Sequence, residues 1–352
     1  MESGDAVEHD LWLHGTVYLD IVLTGLPAMP APGAEVWAQG MGSCPGGVAN
    51  LAVAAARLGL RTTLASTFGD DVYGDFCWST LTDQEGVDLR GSRRVPGWHS
   101  PVTVSLAVSR DRSMVTHEHR SPVAARELLE HTPPARAGFV HLASDEDDLL
   151  AAARARGGLL FADLGWDPAQ EWPTSTLDRL AGCHAFLPNS VEAMAYTRTE
   201  DPRAALARLA DRVPLAVVTC GGQGSIAVDA TTGEEEWAPS LPVDAYDPTG
   251  AGDVFGAALV LGTLEGWPLA QRLAFANLCA ALSVQEVGGS LAAPGWGDLA
   301  DWWARVSQEA DAGSTVAREW RARYAFLPDV LPPPPLRSGR RASATLARAS
   351  DA

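Results

Sequence analysis

The sequence predicts an α/β fold: a mostly parallel sheet covered by helices, accompanied by a small separate β-sheet. Three observations carry that prediction. From about Ala137 onward, short apolar runs alternate with helical stretches, the rhythm of strands joined by helical crossovers. Val102 to Val108 and Ser113 to His117 flank the polar turn Ser109-Arg110-Asp111-Arg112 with alternating residues, a hairpin pattern that sets an early β-rich part apart from the main body. A small-residue helix, Ala251 to Leu264, opens directly on a glycine turn at the end of a strand-like segment, where ligands of open α/β sheets bind.

In chain order, Leu11 to Leu23 is apolar and rich in β-branched and aromatic residues, and reads as strand. Pro27, Pro30, Pro32 and Gly33 mark a turn, after which Val36 to Met41 would return as a strand. Asn50 to Leu58 has helical apolar spacing, with Gly59 where a C-terminal cap belongs. Phe139 to Ala143, Leu159 to Asp163, Ala185 to Leu187 and Leu215 to Thr219 read as buried strands, separated by helices such as Asp145 to Arg156 and Pro202 to Arg212. Helices Ala251 to Leu264 and Leu269 to Val287 follow. Beyond about Ala310 the pattern decays towards the proline run Pro332 to Pro335 and a small, polar, basic stretch, Arg337 to Ala352, expected to be disordered. Within it, Arg340-Arg341-Ala342-Ser343 has the form of a kinase recognition site, although a plain solvated tail is the better reading.

The composition narrows the function. With 352 residues, 46% hydrophobic and 20% charged, the chain is that of a soluble globular protein. Its net charge is −18, and every basic residue is an arginine. That balance argues against a general nucleic-acid binder or an anionic-membrane binder. A nucleotide ligand stays compatible, because backbone amides hold phosphates without lysine. Five scattered cysteines (Cys44, Cys77, Cys183, Cys220, Cys279) lack ligand-like spacing and read as free thiols in a reducing cytosol. The acidic N-terminus is no signal peptide, and no run of 18 apolar residues is present, so a cytoplasmic protein without a membrane span is expected.

The strongest chemical signal is Asp247-Pro248-Thr249-Gly250-Ala251-Gly252-Asp253-Val254-Phe255. A helix start leaves its first N–H groups unpaired and partly positive. Glycines 250 and 252 let those amides approach an anion, so Gly250, Ala251 and Gly252 can hold charge developing on a transferring phosphoryl group. Asp253, at the end of this nest, would accept the proton of an attacking hydroxyl. The bland alternative is a glycine-rich turn with an ordinary capping Asp.

This string resembles the second signature of the ribokinase (PfkB) family of carbohydrate kinases, and further matches recur in order from about Gly15 to Pro294. The resemblance implies a Rossmann-like α/β domain over residues 11–310. It implies a β-sheet lid, built from about residues 17–41 and 100–120, over the substrate, and leaves residues 311–352 as an extension. It also implies ATP and Mg²⁺ as co-substrate and cofactor, and a sugar or sugar acid as acceptor. A nucleoside acceptor, or a non-catalytic sugar- or nucleotide-binding regulator on the same fold, are the alternatives.

The family's other signature is matched by Gly46-Gly47-Val48-Ala49-Asn50 and the following Leu51-Ala52 and Ala56-Arg57-Leu58-Gly59. It implies substrate contacts from Gly46, Gly47 and Asn50; exposed glycine amides and a side-chain amide suit hydroxyls. The match departs at Pro45, which stands where a first glycine is usual, and lacks a lysine. Asn50 would alternatively cap the helix that follows. Asp20, in Gly15-Thr16-Val17-Tyr18-Leu19-Asp20, matches the acidic residue that grips sugar hydroxyls; an edge-strand charge that blocks aggregation is the competing explanation.

On the nucleotide side, Asn189-Ser190-Val191-Glu192 resembles the NxxE motif near Mg²⁺, with Glu192 acting through water; a helix cap explains the same pattern. Thr219-Cys220-Gly221-Gly222-Gln223-Gly224 resembles the nucleotide loop, implying contacts from Thr219, Gly221, Gly222 and Gly224, and equally suits a hairpin turn. Asn277 falls on the helix that borders the adenine in the family. Asp247 and Thr249, with carbonyls near Val287 to Ser290, resemble a monovalent-cation (K⁺) site. Arg120, at the end of the lid hairpin, would bind an acidic substrate group or simply be solvated. His117 and His119 show i, i+2 spacing without an evident third metal ligand. Asp163 and Asp167 flank Trp166 after a strand, with no task that spacing assigns. A homodimer paired through the lid is expected.

Overall fold

In the computed structural model, which describes residues 7–108, 111–142, 147–164, 169–337, 339 and 341, the apolar run Leu11 to Leu23 is split at Gly15 and Thr16 into two strands of different sheets. β1 (His9–His14) lies in the main sheet; β2 (Val17–Leu26) crosses into the small one. β3 (Gly40–Gly47) begins where the expected return strand Val36 to Met41 ends, and it is glycine-rich rather than apolar. Its pairing with β2, Tyr18 opposite Gly46 and Asp20 opposite Cys44, supplies the regularity that its composition lacks. α1 (Val48–Arg57) then starts two residues before the expected point, with Gly47 at its N-cap. Asn50 therefore lies inside the first turn and does not cap it.

The next elements are β4 (Thr62–Ala65), β5 (Thr67–Gly69), α2 (Val72–Ser79), β6 (Arg93–Val95), β7 (Val102–Val108) and β8 (Asp111–His117). The small sheet runs β3-β2-β7-β8, with β2 and β7 parallel and the other pairs antiparallel. β2 is thus an inner strand, which rules out the edge-strand explanation of Asp20. The hairpin turn at 109–110 lies outside the described residues.

α3 (Ala125–Glu130), β9 (Ala135–His141), α4 (Asp147–Ala155), β10 (Leu159–Asp163), β11 (Ala185–Phe186), α5 (Ser190–Thr197), α6 (Pro202–Ala210), β12 (Leu215–Thr219), β13 (Ser225–Asp229) and β14 (Glu234–Ala238) continue the alternation. Asp145, Trp166 and Asp167 lie outside the described residues. The main sheet is ordered β14-β13-β12-β11-β10-β9-β1-β4, parallel except for the hairpin pairs of β12, β13 and β14. Its strands are apolar on both faces, as parallel strands under two helix layers must be. Leu11, Leu13, Phe139, Phe161, Leu215 and Val217 pack on one side; Trp12, Val140, Leu160, Ala162, Phe186, Ala216 and Val218 pack on the other.

α7 (Ala251–Leu264) and α8 (Leu269–Ser283) are almost wholly buried in the first layer, beside α1. The weakening of the sequence pattern past Ala310 does not end the helices. α9 (Trp296–Asp311), α10 (Thr315–Arg323) and α11 (Leu327–Val330) follow, and Tyr324 and Leu327, fully buried, belong to the same core. Farther on, the backbone N–H of Arg341 donates to Asp298. Arg337 donates to the Pro332 carbonyl and the Gly339 carbonyl accepts from the Gly297 amide, so these tail residues are held on the body of the protein, while 338, Arg340 and 342–352 lie outside the described set. Among the described residues, no helix is long and apolar enough to cross a membrane. All five cysteines are free, and burial pushes the Cys44, Cys77 and Cys279 thiols up, so these groups stay protonated.

Candidate active site

The carboxyl ends of the main-sheet strands, the small sheet and the start of α7 converge on one cavity of about 860 Å³. Its lining includes His14, Thr16, Tyr18 and Gly47 from one side, His119 and Arg120 from the end of the lid hairpin, and Asp253. Gly250, at φ 76°, is the N-cap of α7, and no side chain caps the helix. That left-handed conformation costs a residue with Cβ about 1–2 kcal/mol, and the Ala251 N–H that follows donates to the Pro248 carbonyl at 3.3 Å. Gly252 is exposed at the second helical position.

Asp253 follows in the first turn and accepts a hydrogen bond from Asn50 Nδ2 at 3.2 Å. Burial of its carboxyl group pushes the pKa up to about 6, against 3.8 for an ordinary Asp, with the Asn50 bond pulling the other way. The two signature segments, whose Asn50 and Asp253 stand 203 residues apart in sequence, meet where α1 packs against α7, and this bond joins them. Asn50 Oδ1 is buried without a hydrogen-bond partner.

Asp20 is buried two residues along β2 from Tyr18, and its carboxylate lies over Gly46. Any side chain at Gly46 would overlap it, which explains a glycine in mid-strand. Asp20 itself does not line the cavity, whereas Tyr18 and Thr16 do, and both donate to Glu118, Tyr18 at 2.8 Å and Thr16 at 3.4 Å. Arg120 is exposed at the mouth. His117, His119 and His99 have ring centroids 4.7–6.4 Å apart, yet no group of three His, Cys, Asp or Glu among the described residues is placed to hold a metal directly.

A second group of residues gathers along β10, β11 and β12. Asn189 and Glu192 form a reciprocal cap at the start of α5, with 3.0 Å bonds in both directions. Burial also raises the pKa of Glu192. Asp163, at the end of β10, is held well above the ordinary carboxylate range by burial, then by the charges of Glu192 and Asp253. Thr219 bridges to Asn189, so the NxxE turn and the glycine loop are neighbours. Gly221 and Gly222 are exposed and Gly224 is buried in a turn that enters β13, so a hairpin and an open loop coexist there. Asn277 behaves differently: its amide donates to Ser225 Oγ at 3.1 Å and to the Ala238 carbonyl at 2.8 Å, tying α8 to the sheet. Asp247 accepts from both the backbone and the hydroxyl of Thr249 and, at 3.3 Å, from the Gly288 amide. That joins Asp247 to the 287–290 segment, with both carboxylate oxygens already engaged.

Sequence reasoning overlooked His14, His141 and Glu118, and left Asp163 without a role, whereas Tyr18, which with Trp98 reads as an apolar group able to stack a base, does line the cavity. His14, His141 and Asp163 come together by sheet order alone.

The pfkB family carbohydrate kinase model matches residues 23–295. A fructokinase of Klebsiella pneumoniae is 33% identical over 283 residues, covering 73% of this chain and 91% of that protein. A nucleoside kinase of Methanothermobacter thermautotrophicus is 27% identical over 303 residues, covering 83% and 94%. A solved putative ribokinase II of E. coli, in complex with ATP and Mg²⁺, superposes with a TM-score of 0.72 at 22% identity, over 84% of this chain and 99% of that one.

Proposed function

This chain belongs to the pfkB family of carbohydrate kinases, and on that premise we propose that it transfers the γ-phosphoryl group of ATP to a hydroxyl of a sugar or sugar acid, with Asp253 as the base. The fold is ribokinase-like, and the family chemistry is phosphate transfer to a hydroxyl. The observation that carries the detail is the Asn50–Asp253 bond, which holds a carboxylate of raised pKa in the cavity, beside the uncapped start of α7. A base with a pKa near 6 is ionised at neutral pH and still accepts a proton well.

In the step, the substrate hydroxyl oxygen attacks the γ-phosphorus. The bond to the β,γ-bridging oxygen breaks, ADP leaves, and the hydroxyl proton passes to Asp253. The Gly250–Gly252 amides stabilise the charge spread over the phosphoryl oxygens, Gly47 in the cavity lining meets the sugar, and Asp20 and Gly46, packed on each other next to it, complete that end of the acceptor site. The nucleotide lies along Asn189, Thr219 and the Gly221–Gly224 loop, next to Asn277. The chain's own donors fit magnesium: Asp163 and Glu192 are hard oxygen groups crowded with negative charge that a cation relieves. Glu192 would hold it through water, and a bound Mg²⁺ would neutralise phosphate charge. Carbonyls around Asp247, Thr249 and 287–290 would hold K⁺.

A nucleoside acceptor is the second reading, favoured by Tyr18 and Trp98 in the cavity lining and by a volume towards the upper end of the roughly 300–1,000 Å³ usual for ligand pockets. ATP consumption with Mg²⁺ across pentoses, hexoses, keto-sugar acids and nucleosides, with Asp253→Asn as control, decides between them. Turnover on one class that the variant abolishes supports the kinase; no turnover on any, with ATP bound, supports a binding regulator. The exposed Met114 and Val115 on edge strand β8 support pairing of two lids, and a monomer at micromolar concentration in sedimentation would refute that.

A further inference from the structure

We propose that His14 and His141 form the specificity subsite of the cavity, an uncharged imidazole pair that reads adjacent hydroxyl groups of the acceptor beside Asp253. This rests on the kinase reading and names the chemistry that the same site selects.

The two histidines end adjacent parallel strands: His14 closes β1 and His141 closes β9, with Leu13 paired to Phe139 just before them. Both line the cavity together with Asp253. Among the described residues neither ring makes a hydrogen bond to protein; the ring contact of His141 is with Phe139, at 5.9 Å between centroids. Polar ring atoms facing a cavity without protein partners are groups kept for a ligand. An ordinary imidazole, with a pKa near 6.5, is uncharged at pH 8.

A neutral imidazole offers one donor and one acceptor, and so does a hydroxyl. Two adjacent hydroxyls match two adjacent imidazoles with every donor and acceptor used. A carboxylate, which only accepts, or an ammonium, which only donates, would leave half the set facing a like partner. Adjacent hydroxyls occur on free sugars and on the ribose of nucleosides alike.

The test compares D-ribose, D-fructose and adenosine with 2-deoxy-D-ribose, 3-deoxy-D-fructose and 2′-deoxyadenosine, in the full-length wild type and in His14→Leu, His141→Leu and the double variant. His14→Gln and His141→Gln serve as rescue variants, since the Gln amide keeps a donor and an acceptor. Turnover is read as KM and kcat, and probe and ATP binding by calorimetry. We expect each Leu change to raise KM for the accepted hydroxylated probe about tenfold, the factor that corresponds to one lost hydrogen bond of about 1.4 kcal/mol. The deoxy probe and ATP should shift less than twofold, and Gln should recover most of the discrimination. Whichever of the sugars or the nucleoside shows the effect identifies the source of the hydroxyls. Leu variants that keep the wild-type preference, or that weaken deoxy and hydroxylated probes equally, overturn the subsite, as does a wild type that binds no hydroxylated probe. A wild type that binds such a probe with the same histidine dependence but never consumes ATP upholds the subsite and removes the kinase reading instead.

Discussion

Replacing Asp253 by Asn separates two consequences of its burial that run in opposite directions. The amide keeps the shape and can still bond Asn50, but it cannot take a proton. Losing a general base costs roughly 10²–10⁴ in rate, or about 2.7–5.5 kcal/mol of transition-state stabilisation. In the wild type, kcat/KM should fall tenfold per pH unit below about pH 6, as the carboxylate protonates. Stability should move the other way. A carboxyl whose pKa rises from 3.8 to about 6 on folding binds protons more tightly when folded. The folded state therefore loses stability as pH rises between those values, and carries the full cost above them. That cost is at most about 3 kcal/mol at 1.36 kcal/mol per pKa unit. Asp253→Asn should hence melt several degrees higher than wild type at pH 8 and at the same temperature near pH 3.5. Calorimetric melting at both pH values, alongside initial rates from pH 5 to 8, makes the check. A variant with wild-type turnover, or a rate profile flat through pH 6, would refute the base; an unchanged melting point at pH 8 would refute the burial argument.

Gly46→Ala places a methyl group on the Asp20 carboxylate, so KM for the sugar should rise at least tenfold while ATP affinity, read by calorimetry, is retained. Glu192→Gln keeps the capping geometry that Gln also satisfies but removes the charge; the Mg²⁺ concentration for half-maximal rate should rise severalfold with Tm unchanged, and a Tm loss without a metal effect would assign the residue to the cap alone. Chelating Mg²⁺ with EDTA should stop turnover and leave the far-ultraviolet spectrum intact. Arg272→Met strands the Asp229 carboxylate, 2% exposed and 2.7 Å from the guanidinium, and should cost about 3–5 kcal/mol in denaturant unfolding; adding Asp229→Leu should recover much of it.

Local signals made the catalytic end legible. Asp247 to Phe255 combines a turn, two glycines and a helix start within one stretch, and the structure keeps α7 at Ala251–Leu264 as the sequence reads it. β10 and β12 were legible for the same reason, since short apolar runs between helices leave little choice of state. β3 was not: its glycines have no strand propensity of their own, and pairing with β2 holds Gly40, Gly42 and Gly46 in the strand up to Gly47, which turns at φ 62° into α1. The weak pattern after Ala310 concealed α10 and α11, whose amphipathic register becomes meaningful only against the core that buries Tyr324 and Leu327.

The sequence alone thus determined the α/β class and the helix that opens at Gly250, and it singled out Asp253 and Asn50 as the candidates carried into the proposed function, because each rests on neighbours within a few positions. Tertiary structure alone decided that Asn50 bonds Asp253, that Asn277 is spent on the sheet, that His14 and His141 line the cavity, and that Asp163 lies within reach of the Glu192 and Asp253 charges. Sheet order places β1, β9 and β10 side by side, and no period in the chain encodes which strand ends will be neighbours or how deeply their side chains are buried.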